Sequence, residues 1–140
     1  PNQVHVTSFE VPHRNELSET VGYKIFGEKK SAIYLPDIDS WDNFHTKLFK
    51  LIERNDYLFI DGTFYDSSEL KYRKMSKVPH PLISSTIDDT LSNLSLNNRN
   101  KIYFTHLNHT NKVLNKDSKA YQNVISNGFK ILNEKDQFQL

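Results

Sequence analysis

The chain has 140 residues, enough for one domain with a hydrophobic core, and its 18 basic and 17 acidic residues give a net charge of only +1. This balance argues against broad electrostatic binding to nucleic acid or to an anionic membrane, and the lack of cysteine excludes disulfides, thiolate nucleophiles and cysteine-ligated zinc. No apolar run approaches the ~20 residues of a membrane span and no signal-peptide pattern is present, so we expect a soluble, cytoplasmic protein.

Three strands are predicted in the first third of the chain, because apolar, β-branched and aromatic residues cluster between turn residues at Val4 to Val11, Val21 to Phe26 and Ser31 to Leu35. Gly27 opens the turn between the second and third strands, where we expect it at positive φ. The chain starts at Pro1 rather than at Met, so we expect it to be processed or to be part of a longer protein.

Polar side chains follow two of these strands directly. Pro12 ends the first strand and His13 comes next, whereas Pro36 ends the third strand and is followed by Asp37 and Asp39. An Asp in such a position either forms a turn or binds a ligand. Both interpretations remain open for Asp37 and Asp39 at this point.

A strand–helix–strand pattern comes next and favours the α/β class. Asp39 and Ser40 are predicted to cap a helix from about Trp41 to Arg54, and Tyr57 to Ile60 is predicted as a buried strand that ends at Asp61. The whole chain, residues 1–140, is expected to form a single unit with a mixed sheet and flanking helices.

The middle of the chain contains fewer regular elements. Asp66 to Glu69 is typical of a helical turn, and two prolines around His80 make Met75 to Pro81 irregular, as in a lid or cavity wall. Leu82 to Leu94 is predicted as a helix whose core face consists of Ile83, Ile87, Leu91 and Leu94.

The last third is predicted to begin with a strand, Lys101 to Phe104, followed directly by THLNHTN. Asp117 and Ser118 should cap a final helix that ends near Ser126, with Asn127 and Gly128 as its stop. A closing hairpin is expected from Phe129 to Leu132 and Gln137 to Leu140.

Histidines in loops after strands or prolines suggest a metal site together with Asp37. These are His13, His80, His106 and His109, whereas His5 and His45 lie inside regular elements and are assigned structural roles. Each loop histidine alone is more often an ordinary surface residue, but neutral imidazoles and a carboxylate at one sheet edge suit zinc, iron or manganese. The residues alone thus predict an α/β domain with a His/Asp metal site.

Other chemistries have little support in the sequence. There is no G-x-G-x-x-G, P-loop or G-x-S-x-G pattern, which argues against nucleotide cradling and a nucleophile elbow. Asp37 and Asp61 could be proposed as a glycosidase pair, but nothing selects them.

Five motifs, FEVPHRNELSETVGY, YLPDID, DGTFY, MSKVPHP and HLNHTN, resemble in sequence and order the C-terminal half of the pyrroloquinoline quinone biosynthesis protein B family, from about Val4 to Gly128. That family belongs to the metallo-β-lactamase superfamily. The resemblance implies half of an αβ/βα sandwich, with the N-terminal half and its H-x-H-x-D-H motif absent from this chain.

The resemblance also implies roles for individual residues. His13, Asp37 and His106 correspond to metal ligands, with Asp37 as the bridging carboxylate and Asp39 left as a helix cap. His109 is expected to transfer a proton or bind a substrate oxygen, and it is the alternative to His106 as ligand. Candidates for lining the substrate pocket are Ser18, Glu19, Thr20, Thr63, Tyr65 and His80.

Three functions follow as expectations. The leading one is a metal-dependent hydrolase that acts on a small-molecule or peptide-derived substrate, with zinc as the first choice of metal. The alternatives are an iron-dependent hydroxylase in quinone cofactor biosynthesis and a non-catalytic half that needs a partner. An apolar sheet face should be exposed where the N-terminal half would pack, in cis or in trans, or where a homodimer would form.

Overall fold

A six-stranded mixed sheet forms the framework of this computed structural model, which describes residues 3–14, 18–70 and 78–140. The strands lie side by side in chain order: β1 (His5–Glu10), β2 (Val21–Phe26), β3 (Ser31–Leu35), β4 (Tyr57–Asp61), β5 (Ile102–Thr105) and β6 (Lys130–Ile131). Strands β1 to β3 are antiparallel to their neighbours, whereas β3 to β6 run parallel. The predicted α/β class is confirmed.

In the described part of the chain, four α-helices connect or flank these strands: α1 (His45–Arg54), α2 (Ile83–Ser85), α3 (Leu96–Arg99) and α4 (Lys119–Ser126). Short 3₁₀ turns occur at Ser67–Glu69 and Lys112–Leu114. Among the described residues, no helix combines the length and the hydropathy that a membrane span requires.

The hydrophobic core lies on one face of the sheet. Side chains alternate between the two faces of a strand, so Ile33, Leu58 and Ile102, which pair in register, point to the same side. They are fully buried in one cluster with Leu48 and Ile52 of α1. Helices therefore cover this face.

The opposite face carries a row of aromatic side chains. Tyr23, Tyr34, Phe59 and Tyr103 pair in register across β2, β3, β4 and β5. Phe138 packs against the rings of Phe59 and Tyr103, at centroid distances of 4.9 and 5.1 Å. The other end of the row is open, since Tyr23 is 39% exposed and Tyr34 38% exposed. Part of this aromatic face is thus exposed.

The predicted cap of α1 is wrong. The helix begins at His45, and its N-cap Phe44 makes no side-chain capping bond. Asp39 donates its backbone N–H to the carbonyl oxygen of Pro12, and the Ser40 hydroxyl accepts from the N–H of Asp42. Both residues thus stabilise the segment before the helix instead.

The helix predicted from Leu82 to Leu94 is shorter and irregular. After α2, the backbone widens into a π turn at Thr86–Thr90, in which the N–H of Leu91 donates to the carbonyl of Thr86. The core face is nevertheless as predicted, since Ile83, Ile87, Leu91 and Leu94 are all buried. A polar anchor lies within this turn, because the buried hydroxyl of Thr86 accepts from the Trp41 indole N–H at 2.9 Å.

The predicted closing hairpin is also wrong. Lys130–Ile131 pairs in parallel with β5, and residues 132–140 form no strand. Phe138 instead covers part of the aromatic row, where burial of its ring replaces backbone pairing. The positive φ expected for Gly27 is absent as well, since the described residues adopt positive φ only at His106 and Gly128.

Replacing Gly128 by alanine should lower the free energy of unfolding by about 1–2 kcal/mol, because an L-residue is disfavoured at the φ of +83° that ends α4. An added Cβ would also lie 2.5 Å from Leu96 Cδ1. Urea unfolding measures the change, with Ser126→Ala at an exposed site as the control. Equal stability of the two variants would contradict the conclusion that the end of α4 requires glycine at position 128.

Candidate metal centre

One edge of the sheet collects the polar side chains that the sequence places after strands. Strands β3, β4 and β5 run in the same direction, so their carboxyl ends meet at a common edge. Asp37 follows β3, Asp61 ends β4, and His106 follows β5. Parallel pairing therefore brings together residues from distant parts of the chain.

Three of these side chains converge closely enough to share a cation. One donor atom each from Asp37, His80 and His106 lies within 4.8 Å of the other two. Nδ1 of His80 is 3.5 Å from Oδ1 of Asp37, and the two imidazole centroids are 5.9 Å apart. Asp37 and His80 are half-buried and His106 is exposed, so the cluster opens toward solvent.

His13 lies on the other side of Asp37. Its Nε2 is 3.7 Å from Asp37 Oδ1, and its ring centroid is 5.6 Å from that of His80. Its buried Nδ1 lies 2.9 Å from Asp39 Oδ1 without the alignment of a hydrogen bond, and it has no hydrogen-bond partner among the described residues. The His13 ring therefore lies between the carboxylates of Asp37 and Asp39.

Asp61 is a fully buried carboxylate beneath the cluster. Its two oxygens accept four hydrogen bonds, from Ile38 N–H, Thr63 N–H, the Thr63 hydroxyl and His80 Nδ1. Burial lowers the pKa of His80, but the hydrogen bond to Asp61 and the charges of Asp61, Asp37 and Asp39 outweigh it, so this pKa lies above its ordinary value.

The Thr63 hydroxyl lies between two imidazoles. Its oxygen is 3.2 Å from Nδ1 of His80 and 3.0 Å from Nδ1 of His106, while it donates to Asp61 Oδ1 at 2.8 Å. One small side chain therefore contacts two members of the donor cluster and the buried carboxylate.

Asn111 links the loop after β5 to the loop after β4 through hydrogen bonds. Its buried amide donates to the carbonyl oxygens of Gly62 and Thr63, at 2.8 and 3.1 Å. Asn108 adds a backbone bond to the Thr63 carbonyl oxygen. Glycine is required at position 62 because a Cβ there would lie 2.9 Å from Phe104 Cβ. Hydrogen bonds thus hold together the two loops that contain the DGTFY and HLNHTN motifs.

His106 adopts a left-handed backbone conformation with a φ of +58°. A non-glycine residue in this region costs about 1–3 kcal/mol and persists only where its surroundings impose it. Its neighbours on both sides are held to the β4 loop, through Gly62 N–H to Thr105 and Asn108 N–H to Thr63. These bonds keep the imidazole beside Thr63.

The cluster lies in an open pocket of about 350 Å³. Polar donors form one side of it, and the described residues that line it are His13, Arg14, Asp37, Thr63, Phe64, Val78, Pro79, His80 and His106. A second pocket of about 300 Å³ shares His80 and extends along Asp39, Trp41 and Asp89.

The structure brings some predicted site residues together and not others. His13, Asp37, His106, Thr63 and His80 all line the same pocket. His109 is exposed and lies outside that lining, as do Ser18, Glu19, Thr20 and Tyr65. Tyr65 instead accepts a hydrogen bond from Asn123 through its phenol oxygen. Of the predicted lid, Met75 to Lys77 lies outside the described residues, whereas Val78, Pro79 and His80 form part of the wall.

Two contributors were not selected from the sequence. Asp61 was noted as a carboxylate at a strand end and as half of an unsupported glycosidase pair, and Asn111 only as the last residue of HLNHTN. The available indication was that each lies in a motif beside a strand end, but loops of this kind often contain Asp and Asn for turn formation alone. Burial, which separates the two cases, is not readable from the loop sequence.

The donor set fits a divalent cation. Imidazole nitrogens and a carboxylate oxygen are the ligands that zinc, iron and manganese accept, and three protein ligands with an open side are typical of a catalytic site. His13 adds a further imidazole beside the same carboxylate, since its Nε2 lies 3.7 Å from Asp37 Oδ1.

Comparisons with known proteins agree with the motifs. No family model matches the chain. Coenzyme PQQ synthesis protein B of Acinetobacter baumannii (strain SDF) is 25% identical over 138 residues, covering 92% of this chain and 44% of that protein. The crystal structure of Zn²⁺-bound PqqB from Methylobacterium extorquens matches with a TM-score of 0.72 at 22% identity, covering 98% of this chain and 50% of that one. The chain thus spans about half the length of these relatives, and its resemblance to the pyrroloquinoline quinone biosynthesis protein B family is confirmed in sequence and in fold.

Proposed function

We propose that this chain contributes part of the metal centre of a metal-dependent hydrolase of the metallo-β-lactamase superfamily. The observation that carries the proposal is the convergence of Asp37, His80 and His106 within 4.8 Å at the carboxyl edge of the sheet. All of residues 1–140 would form one part of a larger metallo-β-lactamase-like domain, as the half-length match to both relatives suggests.

Asp37 and His106 are the proposed common ligands, and His13 and His80 compete for the next position. The resemblance favours His13, whereas the distances favour His80. Zinc is the proposed metal because the structural relative is described as Zn²⁺-bound, with iron and manganese as alternatives. A divalent ion held there would activate a water molecule and polarise a substrate oxygen.

The residues around the donors suggest what the pocket would accept. Phe64, Val78 and Pro79 supply an apolar wall, and Arg14 is a basic residue of the lining. A small-molecule or peptide-derived substrate with an apolar part fits such a pocket. His80 is better situated than the exposed His109 to exchange a proton with a bound substrate, since it lines the pocket.

A second candidate is an iron-dependent hydroxylase. The specific observation in its favour is that the curated relative is described as a coenzyme PQQ synthesis protein. Imidazole and carboxylate ligands with an open position also suit non-haem iron. Oxygen consumption with a peptide or quinone precursor would favour this candidate, and oxygen-independent ester or phosphodiester cleavage would exclude it.

The third candidate is a non-catalytic half that requires a partner. It is supported by the open part of the aromatic row, where Tyr23 and Tyr34 are exposed, and by the 56% exposed Val6 on the edge strand β1. An exposed apolar patch is typical of a surface that another element covers. The missing half, in cis or in trans, is the proposed occupant, with a homodimer as the alternative.

Metal analysis tests the leading proposal. We expect stoichiometric zinc in a longer form that carries the missing half, and at least about a 100-fold weaker zinc affinity in His106→Ala, because a direct ligand should matter more than the 10–100-fold of an outer partner. Calorimetric titration of apo protein with ZnSO₄ measures both. His13→Ala and His80→Ala show which histidine is the third ligand.

His5→Ala is the matched control, since His5 is an exposed strand residue remote from the pocket. Unchanged zinc affinity in His106→Ala and Asp37→Ala would contradict the proposed centre. Absence of metal from the longer form would leave the non-catalytic half as the remaining candidate.

A further inference from the structure

The Thr63 oxygen makes three polar contacts, and the atom that donates the proton can be identified in each of them. A threonine hydroxyl has one proton to donate and two lone pairs to accept with. Its neighbours are Asp61 Oδ1 at 2.8 Å, His106 Nδ1 at 3.0 Å and His80 Nδ1 at 3.2 Å. The hydroxyl proton can point to only one of these three atoms.

Asp61 must receive it. Each of its two oxygens already accepts a backbone N–H, Oδ1 from Thr63 and Oδ2 from Ile38, so the group acts as an acceptor at both positions. If the hydroxyl proton pointed elsewhere, two oxygen atoms would face each other at 2.8 Å in a fully buried site without a proton between them.

The protonation of both imidazoles then follows. With its proton committed to Asp61, the Thr63 oxygen can only accept from the two Nδ1 atoms. Nδ1 of His80 also lies 2.8 Å from Asp61 Oδ2, which again requires a donor there. A neutral imidazole carries one proton, so protonation of Nδ1 leaves Nε2 as the basic nitrogen.

We infer that Asp61 and Thr63 are positioning residues that fix the Nδ1–H tautomer of His80 and His106, so that both rings offer Nε2 to a metal or to a substrate proton. The use of Nε2 for a metal or a substrate proton rests on the proposed function, whereas the tautomer assignment rests on the hydrogen-bond geometry alone. Among the described residues, Thr63 is the one acceptor for His106 Nδ1, whereas His80 has Asp61 as a second acceptor.

Long-range ¹H–¹⁵N correlation spectra of the metal-free full chain at alkaline pH test the inference, because ring-nitrogen shifts distinguish the two neutral tautomers. We expect Nδ1–H in both rings. Thr63→Val should move His106 toward the Nε2–H form that free histidine favours and leave His80 unchanged, while Thr63→Ser should restore His106. A change confined to one ring is not what a general loss of structure would produce.

Zinc binding provides an independent measurement. Loss of an outer hydrogen-bond partner should weaken zinc affinity by about 10–100-fold in Thr63→Val, with recovery in Thr63→Ser. Nε2–H in either ring of the unsubstituted chain, or an unaltered His106 tautomer in Thr63→Val, would overturn the inference even if zinc binds. Expected tautomers together with no zinc binding in the longer form that carries the missing half would instead uphold the inference and remove the proposed function.

Discussion

Replacing Asp61 by alanine should lower the free energy of unfolding by about 3–5 kcal/mol, because it leaves buried donors without acceptors at about 1–3 kcal/mol each. The backbone N–H groups of Ile38 and Thr63 both donate to this carboxylate, and both residues lie in the interior. The substitution also removes the cost of burying a charged carboxylate. This gain offsets only part of the loss, because the surrounding donors remain in place.

Asp61→Asn should cost less, about 1–2 kcal/mol, because the amide oxygen still accepts while its NH₂ group faces donors. Asp56 offers a matched control: it is an exposed carboxylate next to β4 that accepts from Ser31 N–H. Asp56→Ala should change stability by less than about 1 kcal/mol. Urea unfolding followed by circular dichroism measures all three, and equal losses in Asp61→Ala and Asp56→Ala would contradict the buried network.

Replacing Phe104 by alanine should lower the free energy of unfolding by about 3–5 kcal/mol, since removal of a fully buried aromatic ring leaves a cavity. Phe104 lies in β5 on the helix-covered face and packs against Phe129 with ring centroids 5.9 Å apart. The change also tests which face of the sheet is the core.

Phe26→Ala is the control for this prediction, because Phe26 is 40% exposed at the end of β2 and should lose about 1 kcal/mol or less. Midpoints and slopes of urea unfolding give both values. A larger loss in Phe26→Ala than in Phe104→Ala would mean that the core lies elsewhere.

The strands were the most predictable part of the fold. The runs ending at Phe26 and Leu35 match β2 and β3 as predicted, because β-branched and aromatic residues between turn formers are a local pattern. The cap at Ser118 and the stop at Gly128 were also correct, since a hydroxyl that accepts from Tyr121 N–H and a positive φ are short-range requirements.

Elements that depend on distant partners were predicted less well. The segment after Phe129 was expected to form a hairpin with the chain's end, but Lys130–Ile131 pairs with β5 instead. The helix from Leu82 was expected to be regular, yet it widens at Thr86, whose hydroxyl accepts from Trp41 45 residues away. No local pattern contains those partners.

The candidate site likewise has a part that local sequence patterns predict and a part that depends on distant residues. The sequence by itself determined which residue types follow the strands, and the motifs that resemble the pyrroloquinoline quinone biosynthesis protein B family implied Asp37 and His106 as ligands. Only the tertiary structure decided that His80 joins them and that Asp61 supports them, because these contacts link residues 19 to 43 apart through parallel strand pairing. Burial and hydrogen-bond direction arise from that pairing, and they distinguish a turn-forming Asp from one that orients two histidines.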